Sequence, residues 1–357
     1  MSDREQAGLR GPVKTCVEEV IYPPTTSPGG SEIPERRQTT TQEFDRSGRV
    51  AACRGSNNGS EWVSENAYDD QGRFLRSTSS SAGKVYHEVE YLYDSDGKLT
   101  SYTSKGAQGA IRALCSHDEH GQKSVTFSFD PKILEAGRQR ASGGSPLRAA
   151  EAGHGVPDGG SVRTLYDVDD RPVEAHILGV DGQLISRVIC TYNEAGKLLE
   201  EKRIVESPEF LVPPSLRAQM LLGGGTLDQL KAQLSKFTGG ESGQHVLSYD
   251  YDSNGRQTER RTRVAPFMEQ VVSTSYNEHG DVAEEHWVTR GEHGATTDES
   301  GNIVPSSPPS EPSTSTILYT YIYDDHGNWT EQKTTYPNRP DGQFQSSTTK
   351  RRQLTYY

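Results

Sequence analysis

The first residues that could do chemistry are histidines and acids that stand close together in the sequence. His117-Asp118-Glu119-His120 places four potential metal ligands in a row, and His286 and His293 lie near three glutamates. Neither group has a recognised metal-ligand spacing. Three histidines share one position directly before a glycine, where a polar turn residue is expected: His120, His279 and His326. We therefore predict turn histidines and no bound metal.

Acidic residues suggest two further kinds of chemistry. Asp94-Ser95-Asp96-Gly97 is similar to the start of a calcium loop, but the downstream glutamate of that loop is missing. Paired carboxylates for glycoside cleavage cannot be singled out, because a repeated turn generates many aspartates. The sequence contains no Gly-x-Ser-x-Gly, phosphate loop or His-Glu-x-x-His. We predict no catalytic residues and no cofactor, with an unrecognised polysaccharide hydrolase as an alternative.

Aromatic and cysteine side chains are the remaining candidates. Trp62, Trp287 and Trp329 could stack on sugar rings if they face solvent, although the position of Trp329 in its repeat favours core packing. No cysteine belongs to a Cys-x-x-Cys pair, which makes a zinc site improbable. We predict small buried thiols, with disulfide pairing as the alternative, at Cys16, Cys53, Cys115 and Cys190.

The elements that position these residues repeat along the chain. Each copy has an aromatic residue, Asp or Asn, two variable residues and Gly, and neighbouring copies are separated by steps such as 24 (44 to 68) and 25 (68 to 93). A fixed period of this size indicates a repeat architecture. The copies are Phe44-Asp45-Arg46-Ser47-Gly48, Tyr68-Asp69-Asp70-Gln71-Gly72, Tyr93-Asp94-Ser95-Asp96-Gly97, Tyr192-Asn193-Glu194-Ala195-Gly196, Tyr251-Asp252-Ser253-Asn254-Gly255, Tyr276-Asn277-Glu278-His279-Gly280 and Tyr323-Asp324-Asp325-His326-Gly327, with degenerate copies at His117 and Tyr166.

Each copy predicts a hairpin with one apolar and one polar face. Asp or Asn followed by Gly forms a tight turn, since the Asx side chain bonds its own backbone and Gly accepts a positive φ. Apolar residues alternate on both sides of the turn, as in strands. No hairpin can bury its apolar face alone. The sequence therefore predicts an all-β fold, an antiparallel sheet of stacked hairpins that twists or spirals.

The signature resembles the YD-repeat, or RHS-repeat, family over roughly residues 44 to 330. The segment from Tyr323 to Thr330 is typical of that family. The resemblance implies long antiparallel sheets that spiral, and in large toxins such sheets form a shell around a toxic segment. It therefore implies, as one alternative function, a structural accessory or shell fragment related to secreted toxins.

Three segments interrupt the repeats of what we predict to be a single domain, residues 1–357. Residues 131–161 are rich in Gly, Ala and Ser and predict a flexible loop, and the proline- and serine-rich residues 291–315 predict a solvated loop. Residues 206–243 predict a helical hairpin, because Thr226-Leu227-Asp228-Gln229 is a capping box followed by leucines at helical spacing.

Composition limits the partners. A net charge of −12 disfavours nucleic acid and anionic membranes, and no apolar run is long enough for a spanning helix. The polar N-terminus lacks a secretory signal. We expect no membrane insertion, and a protein that is cytoplasmic or exported by a signal-independent route. With no catalytic motif found, the sequence predicts a non-enzymatic binding module for a protein or glycan surface.

Overall fold

The repeated hairpins build an antiparallel sheet that occupies most of the chain. The computed structural model describes residues 2–26, 30–57, 60–139, 144–211, 222, 226, 228–229, 232, 245–264, 268–291, 295–297, 303–305, 311–337 and 347–357. Within these residues, no helix is both long and apolar enough to cross a bilayer. The helices are α1 (Asp3–Gln6), α2 (Pro131–Gln139) and α3 (Pro146–Glu151), with a 3-10 turn at Pro208–Leu211.

The strands are short and follow one another at hairpin spacing. They are β1 (Val13–Tyr22), β2 (Thr25–Thr26), β3 (Glu32–Ile33), β4 (Arg36–Phe44), β5 (Val50–Asn57), β6 (Ser60–Tyr68), β7 (Phe74–Ser81), β8 (Lys84–Tyr93), β9 (Leu99–Gly106), β10 (Gly109–His117), β11 (Lys123–Phe129), β12 (Ser161–Tyr166), β13 (Pro172–Leu178), β14 (Leu184–Tyr192), β15 (Leu198–Val205), β16 (His245–Tyr251), β17 (Gln257–Val264), β18 (Met268–Tyr276), β19 (Val282–Gly291), β20 (Ala295–Thr297), β21 (Ile303–Pro305), β22 (Ser313–Tyr323), β23 (Trp329–Thr335) and β24 (Thr348–Tyr356).

The hydrogen-bonded order of the strands closes on itself. Strands β2 and β3 form one small hairpin, β20 and β21 form another, and the remaining strands make a 20-stranded sheet. Successive strands pair along this sheet, and β1 pairs with both β4 and β24, which joins its two ends. The predicted all-β antiparallel fold is confirmed. The predicted spiral of stacked YD hairpins is wrong, because β1 pairs with both β4 and β24 and so closes the order of the described strands.

The signature forms the predicted turn. Gly72 has φ of +82° and Gly255 has φ of +73°, a region that other residues rarely adopt. In the Asp69 turn, Oδ1 accepts hydrogen bonds from Gln71 N at 3.0 Å and Arg73 N at 2.8 Å. Arg73 Nε donates to the second carboxylate oxygen at 2.6 Å. The aspartate therefore satisfies the backbone of its own turn and also pairs with the arginine four residues later.

Neighbouring copies are joined through the signature tyrosines. The hydroxyls of Tyr68, Tyr192 and Tyr251 donate to backbone oxygens at 3.0, 2.7 and 2.7 Å. Each acceptor lies six positions after the aromatic residue of the preceding copy: Val50, Pro172 and Leu198. These rings are only partly buried. A tyrosine thus packs on its neighbour and keeps its hydroxyl satisfied there.

The chain divides into two compact units. Unit 1 comprises Met1–Tyr91, Thr274–His286 and Ser315–Tyr357. Its buried cluster contains Leu9, Val13, Cys16 and Phe44. Asn328 is 1% exposed. Its side chain exchanges two hydrogen bonds with the backbone of Arg10, at 2.6 and 2.9 Å. The polar N-terminal segment is therefore an ordered part of this unit's core.

Unit 2 comprises Leu92–Ser273 and Trp287–Thr314. Helices α2 and α3 supply Leu134, Leu147 and Ala150 to its core. The prediction of a flexible loop at 131–161 is wrong, because prolines begin both helices and their apolar residues pack on the sheet. The sheet residues of this core are Ala113, Val125, Phe127, Val162, Ala175, Ile177, Ile185, Val188 and Cys190.

The other two interruptions are described only in part. At 206–243, Thr226 N donates to Gln229 Oε1 at 3.0 Å, and Gln229 N donates to Thr226 Oγ1 at 3.2 Å. These two bonds are those of the predicted capping box, while most of the predicted helical hairpin lies outside the described residues. Within 291–315, β20 and β21 pair with each other, so this predicted loop contains a short hairpin.

Candidate functional site

Trp62 has the surroundings of a ligand-contacting aromatic residue. It stands opposite Gly55 on β5, and a Cβ atom built on Gly55 would lie 2.6 to 2.8 Å from three atoms of the indole ring. The ring therefore lies directly over the glycine, which leaves the space that it needs. The side chain stays partly exposed. One face of the indole is fixed by the strand, and the residue keeps surface for contact.

Serines extend from Trp62 across two strands. Ser64 lies on the same face as Trp62, Ser79 is opposite Ser64, and Ser81 is opposite Trp62. Ser79 Oγ donates to Ser64 Oγ at 3.1 Å, and Ser64 Oγ and Ser77 Oγ are 3.3 Å apart. We call Trp62, Ser64, Ser77, Ser79 and Ser81 the Trp62 surface. The hydroxyls of Ser64, Ser77 and Ser79 are thus linked, while Ser81 Oγ donates to the backbone oxygen of Glu61 at 2.6 Å. The surface combines one aromatic ring with four partly exposed hydroxyls.

The other two tryptophans lie beside arginines. Trp329 is buried, and the Arg352 guanidinium carbon is 3.6 Å from its ring centroid. Arg260 lies 5.7 Å from the centroid of Trp287. The candidate tryptophans Trp62, Trp287 and Trp329 are thus held in three different surroundings. Of the three, Trp62 is the one beside a row of hydroxyls.

The histidines before glycine take part in turns. The backbone N–H groups of His120, His279 and His326 each donate to the Asx side chain of their own turn at 2.9 Å. The His279 ring also stacks on Tyr323, with centroids 3.9 Å apart. The predicted turn role is confirmed. Among the residues that the structure describes, no group of three or more His, Cys, Asp or Glu is arranged to hold a metal ion.

The acids and thiols are held in structural contacts. Buried Glu201 accepts from Ser145 Oγ at 2.5 Å and from Leu147 N at 3.2 Å, and Glu151 accepts from Thr164 Oγ1 at 2.9 Å. All four cysteines are free, and Cys16 and Cys190 are buried. Structural buried thiols are inert as nucleophiles.

Sequence reasoning found Trp62 but missed the serines around it. A serine in a strand has no motif of its own, so Ser64, Ser77, Ser79 and Ser81 drew no attention. Their two-residue alternation was the available signal, because Ser77, Ser79 and Ser81 must share one face of β7. Their meeting with Trp62 depends on the register of β6 against β7, which the sequence does not reveal.

No protein-family model matches the chain, and no curated protein matches it either. Among solved structures it is similar to a porin-like protein from Bacteroides uniformis ATCC 8492, with 10% identity, a TM-score of 0.33 and coverage of 97% of this chain and 98% of that one. A porin-like protein from Bacteroides vulgatus ATCC 8482 has 8% identity, a TM-score of 0.22 and coverage of 95% and 97%. The complex TcdB2-TccC3-Cdc42 has 12% identity and a TM-score of 0.23, and the match covers 97% of this chain but 17% of that one.

These findings correct the predicted family. Membership in the YD-repeat, or RHS-repeat, family is wrong: no family model matches the chain, and its sheet closes where a spiral was expected. The toxin-related accessory or shell role was inferred from that family and falls with it.

Two further expectations are corrected by the closed order of the strands: the absence of membrane insertion, and a cytoplasmic or signal-independent location. Both rested on the lack of a long apolar run and of a leader. A sheet that closes on itself satisfies its backbone groups without any spanning helix.

Proposed function

We propose that this protein is a non-enzymatic binding protein that holds a glycan on the Trp62 surface. The observation that supports the proposal is the placement of a partly exposed indole, fixed over Gly55, beside four serine hydroxyls. A sugar ring offers an apolar C–H face that stacks on an indole and a rim of hydroxyls. Serine hydroxyls both donate and accept hydrogen bonds, which matches that rim.

The composition of the Trp62 surface favours a glycan over a protein partner. Protein interfaces concentrate their binding energy in desolvated clusters of aromatic residues and arginine. Here the neighbours of the single aromatic ring are serines, three of which (Ser64, Ser77 and Ser79) contact one another at 3.1 to 3.3 Å. Such a row can exchange hydrogen bonds with a polar ligand at little cost, because each hydroxyl retains further bonding capacity.

The absence of catalysis is part of the proposal. Glycoside cleavage uses two carboxyl groups on opposite sides of the scissile bond. No carboxyl group belongs to the Trp62 surface, whose polar members are all serines. The buried Glu201 and the partly exposed Glu151 belong to unit 2, where they bond to Ser145 and to Thr164.

The proposal is tested by glycan-array screening of the full-length protein, followed by calorimetry with the best glycan. Trp62→Ala should raise Kd by about tenfold or more, as loss of a stacking anchor does. Ser79→Ala, which keeps the indole, should raise Kd by about threefold to tenfold through one lost hydrogen bond. Tyr86→Ala, which removes an aromatic side chain 47% exposed on the adjacent β8, is the matched control and should leave Kd unchanged.

Three results would overturn the proposal. One is the absence of any bound glycan on the array. Another is equal affinity for wild type and Trp62→Ala when circular dichroism shows both to be folded. The third is release of reducing sugar from the bound glycan, which would establish a hydrolase in place of a binding protein.

A second proposal concerns location: we infer a protein of the outer-membrane type. The supporting observation is the closed antiparallel order, since strands cross a bilayer in closed sheets. A lipid-facing band is apolar, so membrane contact is expected away from the cross-strand ion pairs Glu19–Arg37, Glu43–Arg54 and Glu331–Arg351.

Purified protein mixed with phosphatidylethanolamine and phosphatidylglycerol vesicles should float with them in a density gradient. Protein that stays at the bottom in the presence of vesicles would contradict this location.

A further inference from the structure

Arg203 of unit 2 has an enclosed guanidinium nitrogen with no hydrogen-bond partner. Its Nη2 is buried and unpaired among the described residues, while Nε donates to Ser186 Oγ at 3.3 Å. The side chain as a whole is partly exposed, and Nη2 is its enclosed atom. An enclosed donor without an acceptor is costly, so such groups in proteins are normally hydrogen-bonded.

Two other arginines with an enclosed, unpaired nitrogen have substitute partners. Arg352 pairs with Glu18 at 3.0 Å and lies on the ring of Trp329. Arg260 lies over Trp287. Among the residues that the structure describes, Arg203 has neither a carboxylate nor an aromatic ring. Its positive charge is therefore the one of these three without compensation.

A second unpaired group lies directly across the sheet from Arg203. His245 of β16 is the register partner of Arg203 on β15, which places their Cβ atoms about 5 Å apart. His245 is buried, and its Nε2 also lacks a partner within the described part of the chain. An imidazole can donate an N–H bond from this nitrogen.

The backbone of Gly155 packs against the guanidinium of Arg203. A Cβ atom added to Gly155 would lie within 3.0 Å of Nη2, Nη1 and Cζ of Arg203. A ligand therefore contacts the guanidinium from another side. A planar carboxylate matches the parallel N–H bonds that a guanidinium offers.

We propose that Arg203 and His245 form a binding site for the carboxylate of a small molecule. One carboxylate oxygen accepts from Arg203 Nη2, and the imidazole of His245 donates to the carboxylate from Nε2. The ligand supplies the negative charge that no described residue places beside Arg203. The site belongs to unit 2 and is independent of the Trp62 surface in unit 1, so either proposal can fail alone.

The test uses acetate as the probe on the full-length protein, with acetamide as its neutral counterpart and chloride to hold ionic strength constant. Acetate should raise the melting temperature of wild type, and acetamide should not. Arg203→Met should weaken acetate affinity at least about tenfold, as expected for the loss of a charged hydrogen-bond partner. Arg187→Met, which removes an arginine of the adjacent strand β14 that pairs with Glu206, should bind acetate like wild type.

A second measurement keeps the proposal falsifiable if Arg203→Met does not fold. Acetate should shift the imidazole nitrogen signals of His245 in the NMR spectrum of wild type, and His245→Asn identifies those signals. Equal acetate responses of wild type and folded Arg203→Met would overturn the proposal. So would a response to phosphate without one to acetate, or imidazole signals of His245 that stay in place at saturating acetate.

Discussion

At the scale of the residue, each signature aspartate stabilises the turn in which it stands. Asp252 Oδ1 accepts from Asn254 N and Arg256 N, both at 2.9 Å, and Oδ2 pairs with the Arg256 side chain at 2.7 Å. The backbone hydrogen bond from Arg256, the Arg256 side chain and the Asn254 N–H together hold the pKa of Asp252 below its ordinary value. Asn193 and Asn277 accept the same backbone bond elsewhere, so the turn itself does not need a charge.

This contrast predicts how stability depends on pH. A carboxyl group with a lowered pKa in the folded state adds stability above its unfolded pKa, about 3.9 for Asp, and that stability is lost as pH falls through the folded pKa. Asp252→Asn should therefore be less stable than wild type at pH 7 and equally stable near pH 2. Urea unfolding from pH 7 to pH 2 measures the difference. A stability gap that stays constant over this range would contradict the account.

The signature tyrosines contribute through their hydroxyls as well as their rings. An apolar hairpin face predicts buried aromatic rings, but the structure leaves Tyr93, Tyr192, Tyr251 and Tyr323 partly exposed. Arginines explain part of the difference, because Arg49 lies over Tyr68 and Arg171 over Tyr192 at 4.7 and 5.1 Å. Each of these arginines comes from the preceding copy. A pattern read within one copy does not show such a contact.

Removing one hydroxyl should therefore have a measurable cost. Tyr251→Phe deletes the 2.7 Å bond to Leu198 O and should lower the free energy of unfolding by about 1 kcal/mol. Tyr86→Phe, at an exposed tyrosine, is the control and should change it very little. Urea unfolding of both variants provides the comparison. Equal losses in the two variants would show that the hydroxyl bond does not join the copies.

At the scale of the element, the hairpins could be predicted from the sequence and the helices of residues 131–151 could not. The turn signal is local, because Asp and Gly determine it within one copy. Helices α2 and α3 lie in a stretch whose Gly, Ala and Ser content suggested a loop, although Pro131, Pro146 and the Ser145 cap are helix-start signals. Tertiary packing decides between a loop and helices, because Leu134, Leu147 and Ala150 pack against the apolar face of the sheet.

Helix α2 should therefore be a stabilising part of unit 2. Leu134 is 2% exposed, and Leu134→Ala should lower the free energy of unfolding by about 2 to 5 kcal/mol through lost burial and a new cavity. Val180→Ala, at a turn residue 70% exposed, should cost far less. Thermal unfolding followed by circular dichroism compares the two. A Leu134→Ala protein as stable as Val180→Ala would show that the helix does not pack on the sheet.

The candidate site shows the same division at the level of elements. Trp62 could be selected from the sequence because tryptophan is rare in this chain and stacks on ligands. Its serine neighbours, and the pairing of Arg203 with His245, depend on strand register. Register requires knowing which residues of two strands face each other, and that is set by bulges such as the one between Ala67 and Tyr68. Such bulges have no clear sequence signal here.

At the scale of the whole molecule, closure of the sheet is the feature that the repeat pattern could not predict. The signature specifies a hairpin and its neighbour, so it is equally compatible with an open spiral and a closed sheet. Closure depends on β1, a strand that precedes the first signature copy and pairs with both β4 and β24. Its contacts to β24 join residues more than 300 positions apart, such as Glu18 and Arg352.

Cross-linking of β1 to β24 tests closure most directly. Cys16 stands opposite Leu354, so in a chain without the other cysteines Leu354→Cys should form a disulfide with Cys16 under mild oxidation. Gln353→Cys lies one residue away on the opposite face and should form no disulfide with Cys16. The positive control is a chain that keeps Cys53 and carries Ser64→Cys, because these two residues face each other in the β5–β6 hairpin. A closed sheet predicts a Cys16 cross-link for Leu354→Cys as complete as that of the hairpin control. An open spiral predicts cross-linking of the hairpin control alone, and that result would contradict the closed order of strands.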